Sequence, residues 1–220
     1  MSKIQWKKEI LAIVLIMLQF IVVAVLLKGL PSTVPLHWNI EGNIDRYGEK
    51  FFLFMLPAIS LILYTILLFL PLLDPKKFAL NIPPEPIFRI IRYSLIILHW
   101  VLLAVILGIT TGRKIPAPQI IFGSVSLFLV IVGNFMGKVR QNRFVGFRLP
   151  WTLNNEVVWN KTNRFAGKCL VAGGLISFCL ILVLPIKEAG YAFISLIAVA
   201  SLIPIVYSLV IYKKETQLLK

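Results

Sequence analysis

No stretch of this sequence carries the parts of a catalytic centre. No serine, histidine and aspartate fall on one face, no paired carboxylates flank a cleft, and no glycine-rich phosphate cradle of the required form is present. The chain therefore reads as a non-enzyme, with no catalytic residue and no cofactor. Cysteine is scarce: Cys169 and Cys179 are the two in the chain. They share one apolar run, about 15 Å apart along a helix, and cannot bridge each other within it. Histidine is as scarce, His37 and His99. His37 has Glu41, Asp45 and Glu49 nearby, but those spacings fit no standard zinc pattern, so no metal is expected. Acids number 9 against 23 lysines and arginines. The bases lie in the gaps between apolar runs and form no surface stripe, which argues against direct nucleic-acid binding and makes anionic membrane lipid the expected counter-charge. No internal repeat is evident, which counts against a transporter of the inverted-repeat kind.

What the chain has in abundance is apolar surface. With 59% hydrophobic residues and a mean hydropathy of +0.89, its 220 residues hold more than a soluble domain of this size buries. Six apolar runs are long enough to span a hydrocarbon core of about 30 Å: 10–27, 51–70, 93–110, 119–136, 166–186 and 191–211. No small-residue cleavage site follows the first, so it reads as a retained span rather than a signal peptide. The fold expected is all-α, a polytopic bundle of six transmembrane helices. Residues 1–92 form an N-terminal membrane region of two spans, and residues 93–220 a region of four. Alternate gaps carry 17 and 6 basic residues, a bias that puts both termini in the cytoplasm of a bacterial cell membrane.

Two gaps hold the turn chemistry and the polar residues. The first, Lys28 to Lys50, contains Pro31, Pro35 and the Glu41-Gly42-Asn43 corner and reads as a compact structured extracellular loop. His37 and Asp45 are expected to fix it by hydrogen bonds, with Trp38 and Tyr47 at the membrane interface. Its acidic and aromatic residues, His37, Trp38, Glu41, Asp45 and Tyr47, are the candidate site for a peptide arriving from outside. The other gap runs from Gly133 to Lys168. Gly133 and Gly137 form a small-xxx-small pair that lets two helices approach closely. Seven bases then follow against the single acid Glu156. Thr152 reads as the N-cap of a short cytoplasmic surface helix over 152–165, with Glu156 in its first turn. Between spans two and three, Ile82 to Pro86 reads as an extended proline-rich segment.

The run Gly133, Asn134, Asn142, Gly146, Arg148, Pro150, Trp151, Thr152, Leu153, Trp159, Thr162 and Gly167 resembles the signature of the SdpI family. These bacterial membrane proteins are known for immunity to a secreted toxic peptide. Leu149 and Asn163 depart from the pattern, the latter where the family often has histidine. Pro35, His37, Gly42, Asp45, Tyr47 and Gly48 are similar to the small domain of unknown function that often precedes that signature. The resemblance implies an immunity protein whose partners are a secreted peptide toxin and, after occupancy, a cytoplasmic repressor protein captured at the membrane. It carries Asn134, Asn142, Arg148, Pro150, Trp151 and Trp159 over as the signalling loop. The alternative is a small transporter or channel with Gln19, His99 and Asn134 along a path. His99 lacks a second ionisable residue deep in any span to relay a proton, so a structural role is the expectation for it.

Overall fold

The computed structural model describes residues 5–70 and 85–217. Among them, six helices are long and apolar enough to cross a membrane. They are α1 (Trp6–Leu26), α2 (Met55–Phe69), α3 (Glu85–Thr110), α4 (Ala117–Met136), α6 (Glu156–Val183) and α7 (Ile186–Gln217); the short α5 (Pro150–Asn154) precedes α6. The structured loop after α1 is a β-hairpin, β1 (Thr33–Trp38) paired antiparallel with β2 (Ile44–Glu49). An all-α reading did not specify it. Asn39 makes the turn, its side-chain oxygen accepting the N–H of Glu41 at 3.1 Å and of Asn43 at 2.9 Å.

Helix ends differ from the apolar runs in an instructive way. α3 starts eight residues before Tyr93, α6 ten before Ala166, and α7 five before Tyr191. A polar side chain does not interrupt a backbone ladder, so each helix continues into the headgroup zone until backbone chemistry stops it. Glu85 and Pro86, expected to be extended, open α3, where proline is tolerated in a first turn. The rest of that proline run, with Lys76 and Lys77, lies outside the described residues, as does Lys3. Arg92, the last residue of the expected N-terminal region, falls inside α3. Pro57 sits in the first turn of α2, with a turn of 3-10 helix ahead of it, so it breaks no mid-helix bond.

The separate surface helix over 152–165 is not formed. Asn155 adopts an extended conformation (φ −141°, ψ 115°) and its side chain accepts the Val158 N–H at 3.0 Å, making it the N-cap of α6. Glu156 thus does occupy a first turn, but of a 28-residue membrane helix. Thr152 caps nothing downstream; its hydroxyl accepts from Leu149 N–H at 2.9 Å and donates to the Phe147 carbonyl at 2.7 Å.

Two three-helix groups result. α1, α2 and α3 enclose Ala12, Ile16, Tyr64, Leu68 and Ile96, while Val23, Leu30, Val34, Leu53 and Leu103 tie the hairpin base to the same group. α6 packs along both α4 and α7 around Met136, Trp159, Ala166, Leu170 and Ala200. α3 and α4 join the groups. Lipid supplies no hydrophobic drive between helices, so their association rests on close packing. The closest approach is at Gly133 and Gly167: a Cβ on Gly167 would lie 2.6 Å from the Gly133 carbonyl oxygen.

Candidate functional site

At the hairpin end, His37 Nδ1 lies 2.6 Å from Asp45 Oδ1, which joins the two strands across their register irregularity. The hairpin tip reaches the second helix group. Glu41 takes an ion pair from Lys187 of α7 at 2.9 Å, and Gly42 packs beside Pro118 and Ile186. The hairpin thus straddles both groups, its base in one and its tip on the other. Beneath it lies a cavity of 320 Å³. Leu36 and Trp38 line it from the hairpin, and Leu56, Leu102, Ile121 and Phe122 from α2, α3 and α4. Of the five residues expected here, His37 and Trp38 face the cavity, Asp45 holds His37, Glu41 is turned to α7, and Tyr47 stands exposed outside the lining.

At the other end, the residues between α4 and α6 are knitted by side-chain amides. Asn142 is buried and uses every hydrogen-bonding position. Its oxygen accepts the N–H groups of Phe144 and Val145, both at 2.8 Å, and its nitrogen donates to the carbonyls of Arg140 (2.8 Å) and Val145 (3.1 Å). Trp159 is fully buried and donates Nε1–H to Val139 at 2.8 Å. Asn163, where the family often carries histidine, accepts the Phe147 N–H at 2.9 Å and donates to the Trp159 carbonyl at 3.0 Å. Pro150 opens α5 at N1, and Gln141 donates to the last carbonyls of α5, Thr152 at 2.8 Å and Leu153 at 2.9 Å. Trp151 turns towards α7, donating to Ser208 Oγ at 2.9 Å and lying 6.4 Å from the Tyr212 ring. Arg148 is exposed and donates to the Arg143 carbonyl. Asn134 is exposed on α4, away from this network.

Asn142 and Trp159 therefore build the segment, while Arg148 and its basic neighbours form its surface. An Asn142→Ala variant strands two part-buried N–H groups and two carbonyls. It is expected to lower stability by about 1–3 kcal/mol, read as an earlier thermal transition of the detergent-solubilised protein.

Gln141 was not legible as a site residue, since an isolated amide in a loop carries no spacing signal, and Asn163 stood out only as a departure from the family pattern. A second missed cluster is buried among α1, α2 and α3. Glu9 accepts from Arg92 at 2.6 Å and from the Tyr64 hydroxyl at 2.9 Å. Gln19 donates to Ile96 O, and His99 to Leu95 O of its own helix. Gln19 and His99 thus bond consecutive carbonyls of α3, while Asn134 is exposed on α4.

The geometry is that of a six-span helical membrane protein with a β-hairpin strapped over one end and an amide-knitted basic segment at the other. Residues 138–208 match the model of the SdpI/YfhL protein family, and residues 14–61 match a domain of unknown function, DUF1648. The immunity protein SdpI of Bacillus subtilis (strain 168) is 31% identical over 170 residues, covering 77% of this chain and 79% of that protein. The chain belongs to the SdpI/YfhL family. No solved structure matches it.

Proposed function

We propose that this chain is a membrane immunity protein that protects a bacterium from a secreted antimicrobial peptide. The peptide meets the hairpin end outside the cell. The termini and the basic segment face the cytoplasm, against anionic lipid. The observation that carries the reading is the apolar cavity roofed by a hairpin whose tip rests on a second helix group. A ligand entering there interacts with both groups at once, the differential contact that a conformational response requires.

Occupancy is then relayed to the basic segment, where a cytoplasmic repressor is captured. α7 is suited to the relay because it touches both ends, through Lys187 on Glu41 and through Ser208 and Tyr212 on Trp151. α4 and α6 are less suited, since they meet backbone to backbone at Gly133 and Gly167.

Survival of a peptide-sensitive bacterium expressing the chain tests the proposal, with a panel of secreted peptides as challenge. Expression is expected to restore growth against at least one of them. Trp151→Phe, which loses the Ser208 bond, is expected to keep protection and lower repressor recruitment to membranes. Unchanged killing across the panel, at normal levels of protein in the membrane, would overturn the reading.

A further inference from the structure

The cavity has one wall that a face of side chains does not explain. Leu36, His37, Trp38 and Asn39 are consecutive, yet all four line it. Successive side chains on a strand point to opposite faces. Here Asn39 belongs to the turn and β1 is irregular in register between Pro35 and Trp38, so strict alternation is broken and this length of chain runs along the cavity with one of its edges.

The pairing pattern says which backbone groups are on that edge. Asn39 N–H donates to Asn43 O at 2.9 Å and Lys50 N–H donates to Ser32 O at 2.9 Å, so both are bonding pairs. Antiparallel pairs alternate between bonding and non-bonding. The pair Trp38 and Ile44, next to the first, is therefore non-bonding, as is Pro35 and Tyr47, three positions along from the second. Trp38 N–H, Trp38 C=O and Pro35 C=O are aimed away from β2. Proline at a non-bonding position fits, because its missing donor would otherwise cost a ladder bond. The sheet has two strands, and among the described residues no backbone hydrogen bond joins this edge to another element.

We propose that this edge of β1 is a strand-addition site: an extended peptide segment pairs with β1 beside Leu36 to Asn39 and sets apolar side chains into the cavity beneath. Main-chain bonds supply affinity in such complexes, and pockets for alternate side chains supply specificity. The cavity, at 320 Å³, is at the small end of ligand sites, which run from about 300 to 1,000 Å³. Its apolar walls at Leu102, Ile106 and Phe122 suit bulky aliphatic residues. A lipid acyl chain suits it less, because it would bury the Trp38 backbone groups and the Asn39 side of the rim against hydrocarbon with nothing to bond them. The inference rests on the immunity reading and names how its peptide is recognised.

The test uses the full chain in nanodiscs of zwitterionic lipid and a dye-labelled synthetic hexapeptide of alternating leucine and threonine. Two further versions are N-methylated, one at the odd and one at the even backbone amides. Only one alternate set of amides in an added strand faces its partner. One methylated version is therefore expected to bind on the order of tenfold more weakly than the parent, while the other binds nearly as well. Leu102→Trp, which fills the cavity, is expected to abolish saturable binding of the parent; the methylation contrast on the unaltered protein stands if that variant does not fold. Equal binding of all three peptides would mean simple apolar partitioning and would overturn the proposal. So would an absence of saturable binding, or dimers joined through the hairpin that exclude the peptide. A chain that protects cells but treats the three peptides alike keeps the immunity reading and loses strand addition.

Discussion

Gly167→Val is expected to remove the folded protein from the membrane. A Cβ at residue 167 would stand 2.6 Å from the Gly133 carbonyl oxygen and 3.2 Å from Met136 Cβ. The first of these obstacles is backbone, in the last turn of α4, and no rotamer change relieves it. Overpacking in an adaptable core costs about 1–3 kcal/mol, and a clash between two helix backbones belongs above that range. Separating α4 from α6 would also open the neighbouring approach at Gly174, where a Cβ would meet Ser126 O at 2.8 Å. The measurement is the yield of monodisperse protein after extraction in mild detergent, together with its thermal transition. Two comparisons make the prediction specific. Gly133→Ala, with Gly167 O at 2.9 Å, should be nearly as damaging, whereas Gly137→Ala, whose nearest neighbour is Arg164 Cα at 3.4 Å, should be tolerated. A Gly167→Val protein as stable as the parent would mean that the two helices do not cross there.

That contrast also marks how far the sequence could be read. Gly133 and Gly137 have the spacing of a close-packing pair, and spacing alone treats them as equals. Which of them meets the partner depends on where along α6 the crossing falls, and that is settled by Gly167 and Gly174, thirty or more residues away. The six spans were legible because hydrocarbon thickness imposes a length on any apolar run. Their ends were not, because headgroup-level helix is held by the same backbone bonds as the buried part. The hairpin shows the same division. The Glu41-Gly42-Asn43 corner was readable from turn chemistry, but β1, with a proline and a register irregularity, has no clean alternation to announce a strand. Within the signature, Asn142 and Trp159 stood out by resemblance, and only the structure assigns them the task of holding the loop. His37 and Asp45 were expected to fix the loop by hydrogen bonds, and that each is the other's partner, at 2.6 Å, is visible only in the structure.

Replacing Glu9 by alanine is expected to be the most damaging single change in the first helix group, although Glu9 reads in sequence as one more polar residue before an apolar run. Glu9 is 2% exposed and its partner Arg92 equally little, and the two are 83 positions apart in the chain. Tyr64, from the helix between them, closes the cluster with its hydroxyl on the other carboxylate oxygen. Three helices thus converge on one acid. Truncating one partner of a buried pair leaves a charge desolvated without its counter-charge, a cost of about 3–5 kcal/mol, and Glu9→Ala puts Arg92 in that state with respect to Glu9. Tyr64→Phe deletes one hydrogen bond and should cost about 1–3 kcal/mol. The informative comparison is the double variant Glu9→Leu with Arg92→Met. A buried ion pair exchanged for apolar residues of similar volume is often neutral or stabilising, so the double variant should recover most of what Glu9→Ala loses, measured as the midpoint of thermal unfolding in one detergent. If both proteins unfold together, well below the parent, the cluster serves the bundle through its geometry rather than by balancing charge. If Glu9→Ala alone leaves the midpoint unmoved, Glu9 is not buried against Arg92 in the membrane, and the packing of α1 on α3 described here is wrong at that end.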